Sequence, residues 1–258
     1  MLKTRLIAVL ILRDGRVVQS VRFKHTNAIH YNPIHAMDCF NKWAVDEIVM
    51  LNVSREAASR DGFAEAAAAV SSSCFVPLAA GGWITDEGYA ARLLNSGADK
   101  LVLNTAVADS PQLVSRLAER YGSQCIVASM DVKRNEAGAS EVVVDRGSRA
   151  VASDPAAWAR RAEGLGAGEI FFNSVDHDGA RKGYNLDLLA QVCAAVRIPV
   201  IAFGGVFTWQ HLVEGVRAGA AAVAAANIFH YTEQSTKKAK RHLAQAGIPV
   251  RNEGQAIA

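Results

Sequence analysis

The chain has 258 residues, of which 50% are hydrophobic and 21% charged, with a formal net charge of +3 at pH 7. That length suits one α/β barrel better than two small domains, and the balance is that of a soluble enzyme with a large core. The slight positive excess, with no Lys/Arg run that reads as a basic arm, argues against a nucleic-acid partner, and clustered phosphate ligands can account for part of it.

The first apolar run, Leu6–Leu12, ends at Arg13-Asp14-Gly15. It is too short to span a membrane and lacks a small-residue cleavage site, so a cytoplasmic protein with no membrane partner is expected. Further strand-like runs follow at Ile48–Leu51, Val76–Ala80, Leu101–Leu103, Ile126–Met130, Ile170–Phe172, Val200–Phe203 and Val223–Ala225. Between them lie stretches of helical period: Ile34–Val45, Phe63–Ser72, Glu87–Ser96, Pro111–Tyr121, Pro155–Leu165, Leu186–Val196, Trp209–Ala218 and Ser235–Ala246. Strand and helix alternating eight times predict parallel strands joined by crossovers, a single (β/α)8 TIM barrel over residues 1–258. Ser110-Pro111 and Asp154-Pro155 place a capping residue before a proline at the first helical position.

Two connections exceed the minimum. Arg13–Pro33 carries His25, His30 and Tyr31, and Lys133–Ser153 contains Glu141-Val-Val-Val-Asp145-Arg-Gly147, which reads as a small hairpin. Loops of that length in a compact barrel are usually lids or binding loops. Each follows the first strand of a half, and the halves resemble one another. Asp46-Glu-Ile-Val aligns with Gly168-Glu-Ile-Phe, Ala80-Gly-Gly82 with Phe203-Gly-Gly205, and Asn95-Ser-Gly-Ala98 with Arg217-Ala-Gly-Ala220, at offsets of 122 and 123 residues. A duplicated half-barrel is expected, with halves at about 1–122 and 123–246.

Asp131 closes the fifth strand, where barrel enzymes place catalytic groups. It stands six residues beyond Cys125, and the residue six beyond Arg5 is Ile11, a hydrocarbon. Gly81-Gly82 and Gly204-Gly205 each end a strand before a helix, with Asn104-Thr105 and Asn227 closing the next strands. One such pair reads as a tight turn. Two at symmetric positions predict paired cups for a phosphorylated small molecule, because glycine lets the backbone approach an anion closely. Asp176-His177-Asp178-Gly179 supplies either a base or polyol ligand, or an Asp-stabilised turn. Arg5, Glu47, Lys100 and Glu169 each precede an apolar run, which fits a neutral ring at the opposite mouth or ordinary solvent-facing strand starts. Cys39, Cys74, Cys125 and Cys193 are far apart and read as reduced core thiols. Neither a metal nor a cofactor is expected.

Taken together these residues resemble the HisF-type cyclase subunit of imidazole glycerol phosphate synthase, from Leu2 to about Ala246. The specific motifs are Arg13-Asp-Gly-Arg-Val-Val18, Asp46-Glu47, Gly97-Ala-Asp-Lys100, Asn104-Thr105, Met130-Asp131-Val-Lys-Arg134, Asp176-His-Asp-Gly179 with Gly183-Tyr184, and Ile228-Phe-His230. The resemblance implies a barrel that receives ammonia from a HisH-like glutaminase on its N-terminal face and passes it through the core. It makes Arg5, Glu47, Lys100 and Glu169 the gate, Asp99 a glutaminase contact, and Asp131 one of two acid/base aspartates. Ile11 replaces the other aspartate, Gln19 a substrate-binding lysine, Val9 a cysteine, and Trp83 the third glycine of a phosphate loop. Isoleucine moves no protons, and losing one member of an acid/base pair costs ~10²–10⁴-fold. The chain thus resembles the glycosyl-amidation paralogues, which hand ammonia to a separate sugar amidotransferase making surface-polysaccharide acetamidino sugars. The alternatives are a working histidine-biosynthesis cyclase and a non-catalytic scaffold.

Overall fold

Side chains alternate between the two faces of a strand, so a strand buried on both faces reads as a continuous apolar run. The computed structural model, which describes residues 3–42, 45–231 and 235–251, turns eight such runs into barrel strands. They are β1 (Arg5–Arg13), β2 (Glu47–Asn52), β3 (Leu78–Gly81), β4 (Lys100–Leu103), β5 (Ile126–Arg134), β6 (Glu169–Ser174), β7 (Val200–Phe203) and β8 (Ala222–Ala225). Each pairs in parallel with its neighbours; β8 returns to β1, and β5 joins β6. The strands form a closed (β/α)8 barrel with helices between them.

The core has two layers. Leu6, Leu10, Met50, Phe172 and Val223 face outward under the helices, whereas Ile7, Val9, Val49, Phe171 and Ile201 fill the barrel's interior. Full burial of side chains this size is worth about 1.5–3 kcal/mol each. The helix at Pro111–Tyr121 begins on proline as expected, and Asp154 caps Pro155–Gly164 by accepting from Ala157 N at 3.0 Å. Thr4, before β1, bridges Val250, after the helix Ser235–Gln245, in parallel.

β1 and β5 outrun their predicted ends for one reason. Each continues into an antiparallel hairpin, whose ladder holds extra residues extended. After β1 the hairpin is Arg16–Val21 with His25–His30; after β5 it is Ser140–Val144 with Arg149–Ala152. Only the second is foreseen in the sequence. Asp131 therefore lies inside β5, paired with Val143 of the hairpin. Two short helices, Thr105–Asp109 and Asn227–Tyr231, were too brief to give a periodic signal. Residues 43–44 of the expected Ile34–Val45 helix, residues 1–2 of the first half and the Cys39 side chain lie outside the described residues. Cys74, Cys125 and Cys193 are free thiols. Among the described residues no helix is long and apolar enough to cross a membrane.

Candidate functional site

Period-two alternation sets both ends of the barrel. On β6 the inward positions are Glu169, Phe171 and Asn173; on β2 they begin with Glu47 and Val49; on β4 with Lys100 and Val102. At the N-terminal mouth the four charges close into a ring. Arg5 Nη1 donates to Glu47 Oε2 at 2.6 Å, and its Nη2 meets Glu169 Oε1 at 2.7 Å. Lys100 Nζ meets Glu47 Oε1 at 2.9 Å and Glu169 Oε2 at 3.1 Å. Each carboxylate thus holds one guanidinium and one ammonium, and the ring sums to zero charge. Burial works against the Arg5 cation, but attraction to Glu47 and Glu169 outweighs it and raises its pKa. Asp99 is exposed beside this mouth, its Oδ2 accepting from Leu78 N at 2.8 Å.

At the opposite end Asp131 is 8% exposed and held by two amides. Asn104 Nδ2 donates to its Oδ2 and Asn173 Nδ2 to its Oδ1, both at 2.9 Å. Burial raises the carboxyl to about 6, the two amide bonds hold it down, and Asp178 adds a smaller push upward. Such a group can take or give a proton near neutrality. It lines a cavity of about 750 Å³ together with Ile11, Asn104, Thr105, Gly82 and Trp83. Ile11, 5% exposed and packed against the apolar lining, offers that cavity no polar atom.

The two glycine corners differ. At the first, the backbone φ of Trp83 is +59°, a conformation natural to glycine, and its indole N–H donates to Ser54 O at 2.9 Å. The helix that follows, Glu87–Asn95, already has its N-terminus capped by Asp86, whose Oδ1 accepts from Tyr89 N. Thr105 Oγ1 accepts from Asp145 N at 3.3 Å. At the second corner Gly204, Gly205, Gly179 and Asn227 line a cavity of about 480 Å³, with Gln19 and Arg181. The helix beyond, Trp209–Arg217, has no side-chain cap and no acid in its first turn. The Arg181 guanidinium lies over the Phe207 ring, 4.8 Å from its centroid. Packing alone requires glycine at Gly205, where a Cβ would come within 2.2 Å of Gly183 O, and at Gly82, where it would come within 2.4 Å of Asn52 O.

Comparison with known families matches residues 5–235 to the model described as "Histidine biosynthesis protein". The chain belongs to that family. Within a histidine-biosynthesis barrel, whose family members are generally enzymes of that pathway, the polar rim around Asp131 is where barrel folds place their chemistry.

Other residues around the rim take up structural tasks. Asp178 is 4% exposed, and its Oδ2 accepts from Ser20 Oγ at 2.6 Å. The amides of Arg22 and Phe23 also bond it, and burial raises its pKa against those bonds. Asp178 thereby latches the first hairpin across the rim. Asp176 Oδ2 accepts from Arg134 N at 2.7 Å and steadies the root of the second hairpin. His30 Nε2 and His230 Nδ1 are 3.3 Å apart; burial lowers both, and His230 falls to about 4. Asn173 and Lys240 were not singled out in the sequence. Asn173 carried a signal, a polar residue four positions beyond Glu169 on the same strand face.

Proposed function

We propose that this chain is the ammonia-conducting, HisF-like subunit of a glutamine-dependent amidotransferase complex. A HisH-like glutaminase on the N-terminal face would release ammonia beneath the ring, and a separate sugar amidotransferase would consume it. The observation that carries this reading is the closed ring of Arg5, Glu47, Lys100 and Glu169 on the inward face of four strands, two of which lead at their other ends to Asn104 and Asn173, the amides that hold Asp131. Two cations shared between two anions suit a gate, because either cation can leave while the other still holds both carboxylates. Ile11 supports the loss of ring-closing chemistry, since the wall facing Asp131's cavity has hydrocarbon where a second carboxyl is needed. The rival reading, a working cyclase that relies on Asp131 with a substitute acid, draws support from the carboxyl's position near 6. Complementation separates them: the gene should fail to rescue a cyclase-deficient histidine auxotroph, and growth would overturn the loss of cyclisation. Conduction is tested by comparing glutamine-driven with ammonium-driven amidation in the reconstituted complex.

A further inference from the structure

His30 ends the second strand of the first hairpin, and His230 lies in the short helix Asn227–Tyr231, 200 residues further along the chain. Their facing nitrogens, Nε2 and Nδ1, are 3.3 Å apart, and the ring centroids are separated by 5.2 Å. The His230 ring also lies against buried Phe40, with 5.5 Å between centroids. Two nitrogens at that distance share one proton, so one ring donates and the other accepts. A first added proton leaves a charged donor facing a neutral acceptor. A second sets two N–H groups against each other, and the bond is lost.

The surroundings also oppose a second charge. Among the described residues no Asp or Glu bonds either ring. Helix Pro33–Lys42 brings His35, and the partner strand of the hairpin brings Arg16, whose guanidinium lies over Tyr31. Helix Ser235–Gln245 brings Lys237, Lys238 and Lys240, the last held by Asp46. Burial is the main cause that lowers both imidazoles; His35 adds to it at His30, and His30 at His230.

We propose that His30 and His230 form an acid-operated latch, which holds the first hairpin to the helix Asn227–Tyr231 and releases it when both rings are protonated. The hairpin is a wall of both rim cavities. Gln19 lines the one at the second glycine corner, with Asn227 and Ile228 of the latched helix, while Ser20, Phe23 and Lys24 line the one at Asp131. Release therefore alters both. The inference stands apart from the conduit reading, since it uses only how the hairpin is fastened.

The direction follows from linkage. Fastened imidazoles bind protons more weakly than released ones, so closure holds at neutral pH and above. It weakens as pH falls from 6.5 toward about 4. Asp178, which bonds Ser20 nearer the hairpin's tip, acts in the opposite sense, because burial raises its carboxyl.

Hydrogen–deuterium exchange of the whole protein, corrected for intrinsic chemistry, reads the release. Protection of the strand His25–His30 should fall by up to roughly thirtyfold from pH 8 to pH 5, while that of β7 holds. His230→Gln, which hydrogen-bonds without titrating, should lose most of that dependence. Should it fail to fold, His30→Gln repeats the test from the hairpin side. Ring-proton NMR of the wild type is a further measure, and His230 should titrate well below a free histidine. Equal protection at the two pH values, a dependence that a folded variant keeps, or ordinary titration of His230 overturns the latch.

Discussion

Lys240 Nζ donates to Asp46 Oδ1 at 2.6 Å, joining residues 194 apart in the chain, and both side chains are buried. Asp46 Oδ2 also accepts from Leu6 N at 2.8 Å. The helix Ser235–Gln245 is thus fastened to the residue that precedes Glu47 of the charged ring. Removing one partner of a buried pair leaves the other charge uncompensated, so Lys240→Ala should cost about 3 kcal/mol or more. The checking measurement is urea unfolding; a midpoint within error of wild type would remove this clamp from the account.

The Asp131 carboxyl titrates at about 6 in the fold, above its unfolded range. Between those values the folded state binds the proton more tightly. Stability should therefore fall as pH rises from about 4 to about 6 and stay level above, as far as this group is concerned. Asp131→Asn should flatten that slope and, near pH 7.5, raise stability by roughly 3 kcal/mol at most. Thermal melts of both proteins across pH decide it, and equal slopes would mean that Asp131 is not strained toward protonation.

At the ring, Lys100→Ala leaves Arg5 alone to serve Glu47 and Glu169. Stability should fall by roughly 1–3 kcal/mol, because the mouth retains some solvent. In the complex, the glutamine-driven rate should change severalfold while the ammonium-driven rate stays put. Unchanged rates in both arms would refute the gate.

Trp83→Gly should open the first corner. A glycine suits the φ of +59°, offsetting ~1 kcal/mol of the packing lost with the indole. Calorimetric titration with inorganic phosphate should then gain a binding event absent from wild type. Its absence would mean that Asp86 at the helix start, rather than the indole, closes this corner.

The barrel was legible because eight buried strands announce themselves as apolar runs, and capping residues mark where helices begin. The four charges of the ring were legible, each preceding a run, although the pattern fitted solvent-facing strand starts as well; the closure was not, since no pattern says that Arg5 and Lys100 will each reach both glutamates. Asp131 stood out as a lone carboxylate in a hydrophobic stretch. Its amide bonds did not, because Asn104, singled out only for a phosphate cup, and Asn173 reach it across neighbouring strands. The Asp178 latch was hidden for the same reason, its partner Ser20 being 158 residues away.

Mouth and rim share a further property, which comes from the alternation of each strand. A one-residue insertion or deletion in β6 between Glu169 and Asn173 would change the parity between them, so that keeping one side chain inward would turn the other toward the helices. The two ends of the barrel are therefore linked in reading frame although no side chain joins them. Length changes are barred to such a strand, and substitution is the route left open. Ile11 and Trp83 both line the rim cavity, where a change of side chain alters what the barrel offers while leaving the spacing of the strand or turn intact.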